Sequence, residues 1–229
     1  MRGVFVTATG TGVGKTVLAA AICAALAARG ERVAAFKPVV TGTDAPEPGV
    51  PADHVLLAAC TGQAPDAVTP HTFGPAVSPH LAAAAAPLDP ATLEAAARAA
   101  APAGGVLVAE GVGGLLVPLT DQGYDVRALA VALGLPVVIA AHPGLGTINH
   151  TLLTVEAARS AGLDVRGVVL TPWPAAPTAI ERSNAVTIAA LGEVRVSCLP
   201  HAATLTPSAL AAAAAELPLA EWIGDAGPA

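Results

Sequence analysis

Lysine is almost missing from this chain. Lys15 and Lys37 are the only two, and the other nine cations are arginine. No basic tract occurs and the formal net charge is −6. That excludes the positive face that a nucleic-acid or anionic-membrane partner requires. Aromatic residues make up 3% of the chain, too few for the stacking platforms that grip single-stranded nucleic acid. Cysteine is scarce: Cys23, Cys60 and Cys198 form no CxxC pair. Buried thiols in a reducing compartment are expected. Long apolar runs are absent too. No stretch of ~20 residues escapes Gly, Pro or charge, and residues 131–141 are cut by Gly134 and Pro136. The apolar run 4–6 is too short for a signal peptide, so a cytoplasmic protein is expected. His54, His71, His142 and His201 show no metal-ligand spacing.

What remains is rich in small apolar side chains. Apolar residues are 54% of the 229, with alanine a large share, which predicts helices packed closely on a sheet. One domain over residues 1–229 is the default at this length. Short β-rich runs alternate with helical runs. Strands are expected at 3–7, 32–36, 105–109, 136–141, 165–170 and 194–198. Helices are expected at 15–28, 53–59, 90–101, 125–133, 148–161, 178–191 and 207–215. The strands are apolar on both faces, as in a parallel sheet covered by helices. The fold class is therefore α/β: a doubly wound, mostly parallel sheet with helices on both faces. Gly30 and Gly162 read as helix stops, and residues 44–51 as a loop. Residues 224–229 read as a frayed tail, and the alanine tracts 82–86 and 211–215 as helix.

The strongest local signal follows the first strand. Thr9-Gly10-Thr11-Gly12-Val13-Gly14-Lys15-Thr16 runs directly into a helix, matching the Gly-Lys-Thr end of the P-loop. Glycines let backbone N–H groups curl around anionic oxygens, and the helix N-terminus adds positive potential. Lys15 can bridge β- and γ-phosphates, and the Thr16 hydroxyl can ligate Mg²⁺. Thr9 stands where the P-loop pattern has its first glycine.

Two further stretches point to the same crevice. The second strand ends at Lys37-Pro38, and carboxyl ends of parallel strands face the ligand. Lys37 is therefore expected to reach the γ-phosphate and neutralise charge during transfer. The third strand runs into Glu110-Gly111-Val112-Gly113-Gly114, an acid at the metal side followed by glycines that allow close approach. Asp53 opens a predicted helix. Spacing alone favours a simple N-cap over a metal ligand.

Taken together, these stretches resemble the dethiobiotin synthetase family. The resemblance rests on the phosphate loop, Lys37-Pro38-Val39 with Thr41-Gly42, and Ser78-Pro79-His80. It extends to Glu110-Gly111-Val112-Gly113-Gly114-Leu115-Leu116-Val117-Pro118-Leu119 and Leu145-Gly146-Thr147-Ile148-Asn149-His150-Thr151. It implies a Mg²⁺- and nucleoside triphosphate-dependent ligase that joins CO₂ to 7,8-diaminononanoate and closes the ring of dethiobiotin.

The implied roles follow by position. Lys37, Lys15 and Thr11 are catalytic. Thr16, Asp53 and Glu110 hold the metal, which moves Asp53 from cap to ligand. Nucleotide contacts fall to Gly12, Val13, Gly14, Lys15, Thr16, Val17, Asp53, Glu110, Gly111, Val112 and Gly113. The base side falls to Thr171, Pro172, Pro200, His201 and Ala202. Substrate contacts fall to Thr11, Lys37, Thr41, Gly146, Thr147 and Asn149, the last three across the interface of a homodimer. The family often has Asn where Thr171-Pro172-Trp173 stands, so base preference is left open.

Two other readings share the phosphate loop. A MinD- or ParA-like dimeric ATPase switch places a signature lysine five residues before the P-loop lysine, where this chain has Gly10. A P-loop amidoligase of the corrinoid type carries a glutaminase-type domain for which this chain has no room.

Overall fold

A computed structural model describes residues 1–46 and 48–225. In chain order its elements are β1 (Arg2–Ala8), α1 (Lys15–Ala28), β2 (Val33–Phe36), β3 (Val40–Thr41), α2 (Asp53–Thr61) and α3 (Pro65–Val68). Then come β4 (Thr72–Phe73), α4 (Pro79–Ala82), α5 (Pro90–Ala100), β5 (Val106–Glu110), α6 (Val126–Leu133), β6 (Val137–Ala141) and α7 (Thr147–Ser160). The chain continues with β7 (Val165–Trp173), α8 (Ala179–Gly192), β8 (Val196–Pro200), α9 (Pro207–Ala213), α10 (Leu219–Trp222) and β9 (Gly224–Asp225).

The sheet runs β2-β5-β1-β6-β7-β8 with every pair parallel. Alternation along each strand sorts the core into two layers. In β1, Val4, Val6 and Ala8 belong to the layer that holds α1, α2, α9 and α10, while Phe5 belongs to the other. Leu107 and Ala109 of β5, with Ile139 and Ala141 of β6, face α5, α6 and α7 beside Phe5. Helix α1 lies on the first layer through an unbroken run of small and branched residues, Leu18 to Leu26, all buried. Alanine there lets the helix sit close to the strands that position the phosphate loop.

The seven long helices and six main strands lie where the pattern places them, with ends shifted by a few residues. Four expectations need correction. Ala52, not Asp53, is the N-cap of α2, and no side chain caps it; the Asp53 carboxylate turns to Lys37 instead. The tract 82–86 is not helical beyond Ala82. Residues 83–86 form turns, because Pro87 disfavours helix in the residue before it. Likewise α9 ends at Ala213, so only part of 211–215 is helix. Finally, Gly224 and Asp225 are not frayed. They pair antiparallel with Gly3 and Arg2, filling the edge of β1 below Phe5, where pairing with β6 begins. Residues 226–229 of the expected tail lie outside the described residues. Just before β9, Trp222 is fully buried against Gly167.

Among the described residues, no helix is long and apolar enough to cross a membrane.

Candidate active site

The carboxyl ends of β1, β2 and β5 converge because these strands are sheet neighbours, with β5 in the middle and in register with both. Each delivers one part of the site. The loop after β1 reaches α1 through Gly12 (φ 77°) and Gly14 (φ 85°), both left-handed, where a side chain would be strained. Gly14 is the N-cap of α1 and no side chain caps this terminus. The first-turn amides of a 14-residue helix therefore remain available to an anion.

Lys15 and Thr16 follow on the first turn. Both reach one oxygen of Glu110 at the end of β5. Lys15 Nζ lies 3.2 Å from Glu110 Oε1, and Thr16 Oγ1 donates to the same atom at 2.8 Å. Lys37, immediately after β2, donates to Oε1 as well and pairs with Asp53 Oδ2 at 2.7 Å. Backbone bonds fix its position. Lys37 N–H donates to Val68 O at 2.9 Å. Two residues earlier, the Gln63 amide brackets Ala35, accepting from its N–H at 2.7 Å and donating to its carbonyl at 3.2 Å. Since β2 is an edge strand, Gln63 takes the place of a missing neighbour.

Both lysines are buried, at 8% and 2% exposure, and Glu110 is fully buried. Charges so far from water persist only when paired. Burial pulls the Lys37 ammonium toward deprotonation, but Glu110 and then Asp53 outweigh it and leave its pKa above the ordinary lysine value. Lys15 goes the other way. Burial and repulsion by Lys37 lower its pKa against the pull of Glu110 and Asp53. Burial of Asp53 opposes its ionisation, yet the Lys37 ammonium holds its carboxyl below the ordinary value.

A divalent cation fits this donor set. Thr16, Asp53 and Glu110 offer hard oxygens, and Glu110 Oε2 is buried without a hydrogen-bond partner among the described residues. No cluster of three His, Cys, Asp or Glu that could hold a metal occurs among them. The remaining positions would fall to phosphate and water, as magnesium prefers.

A cavity of about 600 Å³ opens over these groups. Of the expected residues, Thr11, Gly12, Gly14, Lys15, Thr16, Val17, Lys37, Thr41, Asp53, Val112 and Gly113 line it. Val13 is tucked against the first core layer. Gly111 lies beneath the cavity, its N–H on Val6 O. A Cβ there would come within 2.6 Å of Val126 Cγ1. Gly111→Ala should therefore lower stability by about 1–3 kcal/mol through overpacking, measured by urea titration. Val39, Val50, Ala76, Val77 and Val117 also line the cavity. These four valines and one alanine carry no signal that separates them from core residues.

The residues expected at the base do not line this cavity. A Cβ at Gly14 would meet Thr171 Cγ2 at 3.1 Å, so β7 abuts the phosphate loop. Trp173 pairs with Pro200, and His201 N–H donates to Trp173 O at 3.2 Å. This joins 171–173 to 200–202. Gly146, Thr147 and Asn149 do not line this cavity. They form the N-terminus of α7, with Gly146 left-handed at φ 89°.

Comparison with known proteins adds the family. The family model described as an AAA domain matches residues 2–209. The chain is 46% identical over 177 residues to the ATP-dependent dethiobiotin synthetase BioD of Anaeromyxobacter dehalogenans strain 2CP-1, covering 74% of this chain and 76% of that one. It is 38% identical to the protein of the same name from Mycobacterium avium strain 104, covering 97% of this chain and 98% of that one. Among solved structures it superposes on the cell division ATPase MinD of Pyrococcus furiosus (TM-score 0.54, 18% identity, 95% and 100% covered). It also superposes on the MinC:MinD complex of Aquifex aeolicus (TM-score 0.59, 15% identity, 95% of each chain covered). The likeness to these two structures is one of fold.

Proposed function

The chain belongs to the ATP-dependent dethiobiotin synthetase family, whose members are C–N-forming ligases of biotin biosynthesis, and we propose that it closes the cyclic urea of dethiobiotin from 7,8-diaminononanoate, CO₂ and a triphosphate. One observation carries this reading: two buried ammonium groups, carried by the segments that follow β1 and β2 on either side of β5, share one carboxylate oxygen at the mouth of the phosphate loop. The level of identity to synthetases favours this over a partitioning switch.

The chemistry needs charge control more than a protein nucleophile. One substrate amine adds to CO₂ and loses a proton to give a carbamate. A carbamate oxygen attacks the γ-phosphorus and the diphosphate leaves, forming a carbamic–phosphoric anhydride. The second amine then attacks the carbonyl carbon, the C–O bond to phosphate breaks, and the ring closes. Lys15 and the amides of Gly12–Thr16 hold the transferring phosphoryl group. Lys37 neutralises the carbamate and phosphoryl oxygens as they meet. Mg²⁺ would be held by Thr16, Asp53 and Glu110 and would neutralise phosphate charge. Val112 and Gly113 flank the phosphates, and Thr11 and Thr41 meet the polar end of the acceptor. The work falls to one domain, in the cytoplasm.

The acceptor's carboxylate goes to the N-terminus of α7 in the second protomer of a homodimer. Exposed leucines support the second copy. Leu145, Leu153 and Leu116 are 94%, 57% and 55% exposed. Leu116 and Leu153 also rim a hollow of about 420 Å³ that reaches Thr11 and the phosphate loop. Leu145→Asp should shift the protein toward monomer in sedimentation-velocity runs and raise KM for the diamino acid. An unchanged dimer of normal KM would exclude this interface.

The base side, Thr171, Pro172, Pro200, His201 and Ala202, lacks the carboxamide that reads adenine through two hydrogen bonds. ATP, GTP and CTP should therefore support turnover with kcat/KM within about tenfold of one another, a spread of about 1.4 kcal/mol; strong selectivity for ATP would contradict this. The decisive assay incubates the protein with diaminononanoate, bicarbonate, Mg²⁺ and ATP and detects dethiobiotin by mass. Triphosphate hydrolysis without that product would overturn the reading.

A further inference from the structure

We propose that Asn184 is a positioning residue for acceptor binding: its side-chain amide shapes the turn before α7 that receives the acceptor's carboxylate. This rests on the reading above that the α7 N-terminus takes that group.

Asn184 projects from α8 and is 6% exposed. Its Nδ2 donates to two consecutive carbonyls, Pro143 O at 2.9 Å and Gly144 O at 3.1 Å. Gly144 O also accepts from Thr147 N–H at 3.3 Å, and Gly144 N–H donates to His142 Nδ1 at 3.0 Å. Pro143 has no N–H to place. The polar backbone of 143–144 is thus engaged within the protein.

The consequence appears one peptide later. In a trans peptide the carbonyl and the following N–H point in opposite directions. With Gly144 O drawn toward Asn184, Leu145 N–H must face away from it. Gly146 continues in the left-handed region, a backbone turn of the kind that aligns successive N–H groups. Neither Leu145 nor Gly146 N–H finds an acceptor among the described residues. These two donors stand ahead of a 14-residue helix whose positive end adds to them.

A packing role alone does not explain the residue. A leucine would fill similar volume without burying an amide, whereas a buried amide needs its hydrogen bonds to offset desolvation. What Asn184 adds over leucine is the direction of two carbonyls. It touches no reacting atom.

The test separates carboxylate recognition from general damage. Two acceptors are compared: 7,8-diaminononanoate and the corresponding vicinal diamine without the carboxylate. In Asn184→Ala, KM for the diamino acid should rise about tenfold or more, the scale of a lost hydrogen bond to a charged group. KM for ATP and kcat should stay within twofold, and kcat/KM for the carboxylate-free diamine should not change. Asn184→Ser, which keeps a shorter donor, should fall between the two. Equal losses with both acceptors, an unchanged KM for the diamino acid, or failure of both variants to fold would overturn the proposal. If the unsubstituted protein uses both acceptors with equal kcat/KM, the carboxylate reading itself falls and takes the proposal with it. Production of dethiobiotin by the unsubstituted protein checks the synthetase reading separately.

Discussion

Lys37→Gln yields a folded protein whose kcat for dethiobiotin falls by about 10²–10³-fold or more, the usual cost of removing one preorganised charge from a transition state. The side chain is 2% exposed and its ammonium bridges Asp53 and Glu110. Burial keeps water from taking over its role, so no solvent molecule of matching charge replaces it. Glutamine can still donate a hydrogen bond but cannot neutralise a carbamate oxygen approaching a phosphoryl group. The fold should survive, because Glu110 keeps Lys15 and Thr16 as partners. Steady-state kinetics and a thermal melt check both halves. Normal turnover would remove Lys37 from the chemistry.

Glu110→Gln should do more damage to the fold. This carboxylate is fully buried and touches Lys15, Lys37 and Thr16 through one oxygen. Its loss leaves Lys15 without its paired carboxylate while Lys37 still repels it. Breaking a buried ion pair from one side costs about 3–5 kcal/mol, which urea titration would measure. Asp53, attached to Lys37, offsets part of the remaining charge. Binding of triphosphate to Glu110→Gln should recover part of the lost stability, since phosphate replaces the missing negative charge, and should depend less on Mg²⁺ than in the parent. A variant within about 1 kcal/mol of the parent would contradict the electrostatic picture.

The frame of the site was readable from residue order because its parts sit at strand ends. Gly14-Lys15-Thr16 opening a helix after an apolar strand fixes where the phosphates go. Scarcity gave Lys37 its weight, and an acid ending a buried strand marked Glu110. Asp53 shows the limit. Its position at the start of a helix suggests a cap, and only the fold shows Lys37 Nζ 2.7 Å away. Gln63 and Asn184 were invisible, because an amide that serves a backbone carbonyl in another element has no local sequence signature. The strands β3, β4 and β9 have two residues each, too short for any period to register. The tail strand forms because β6 leaves the start of β1 unpaired, a fact of tertiary register.

Lys15 and Lys37 are proposed to act on the same phosphoryl group. A crystal structure with Mg²⁺, diaminononanoate and a non-hydrolysable triphosphate tests it most directly. Both Nζ atoms should lie at about 2.7–2.9 Å from oxygens of the γ-phosphoryl group, the range of charge-assisted hydrogen bonds, with Lys37 released from at least one of Asp53 and Glu110. A γ-phosphate held by Lys15 alone, with Lys37 still bridging both carboxylates, would contradict it.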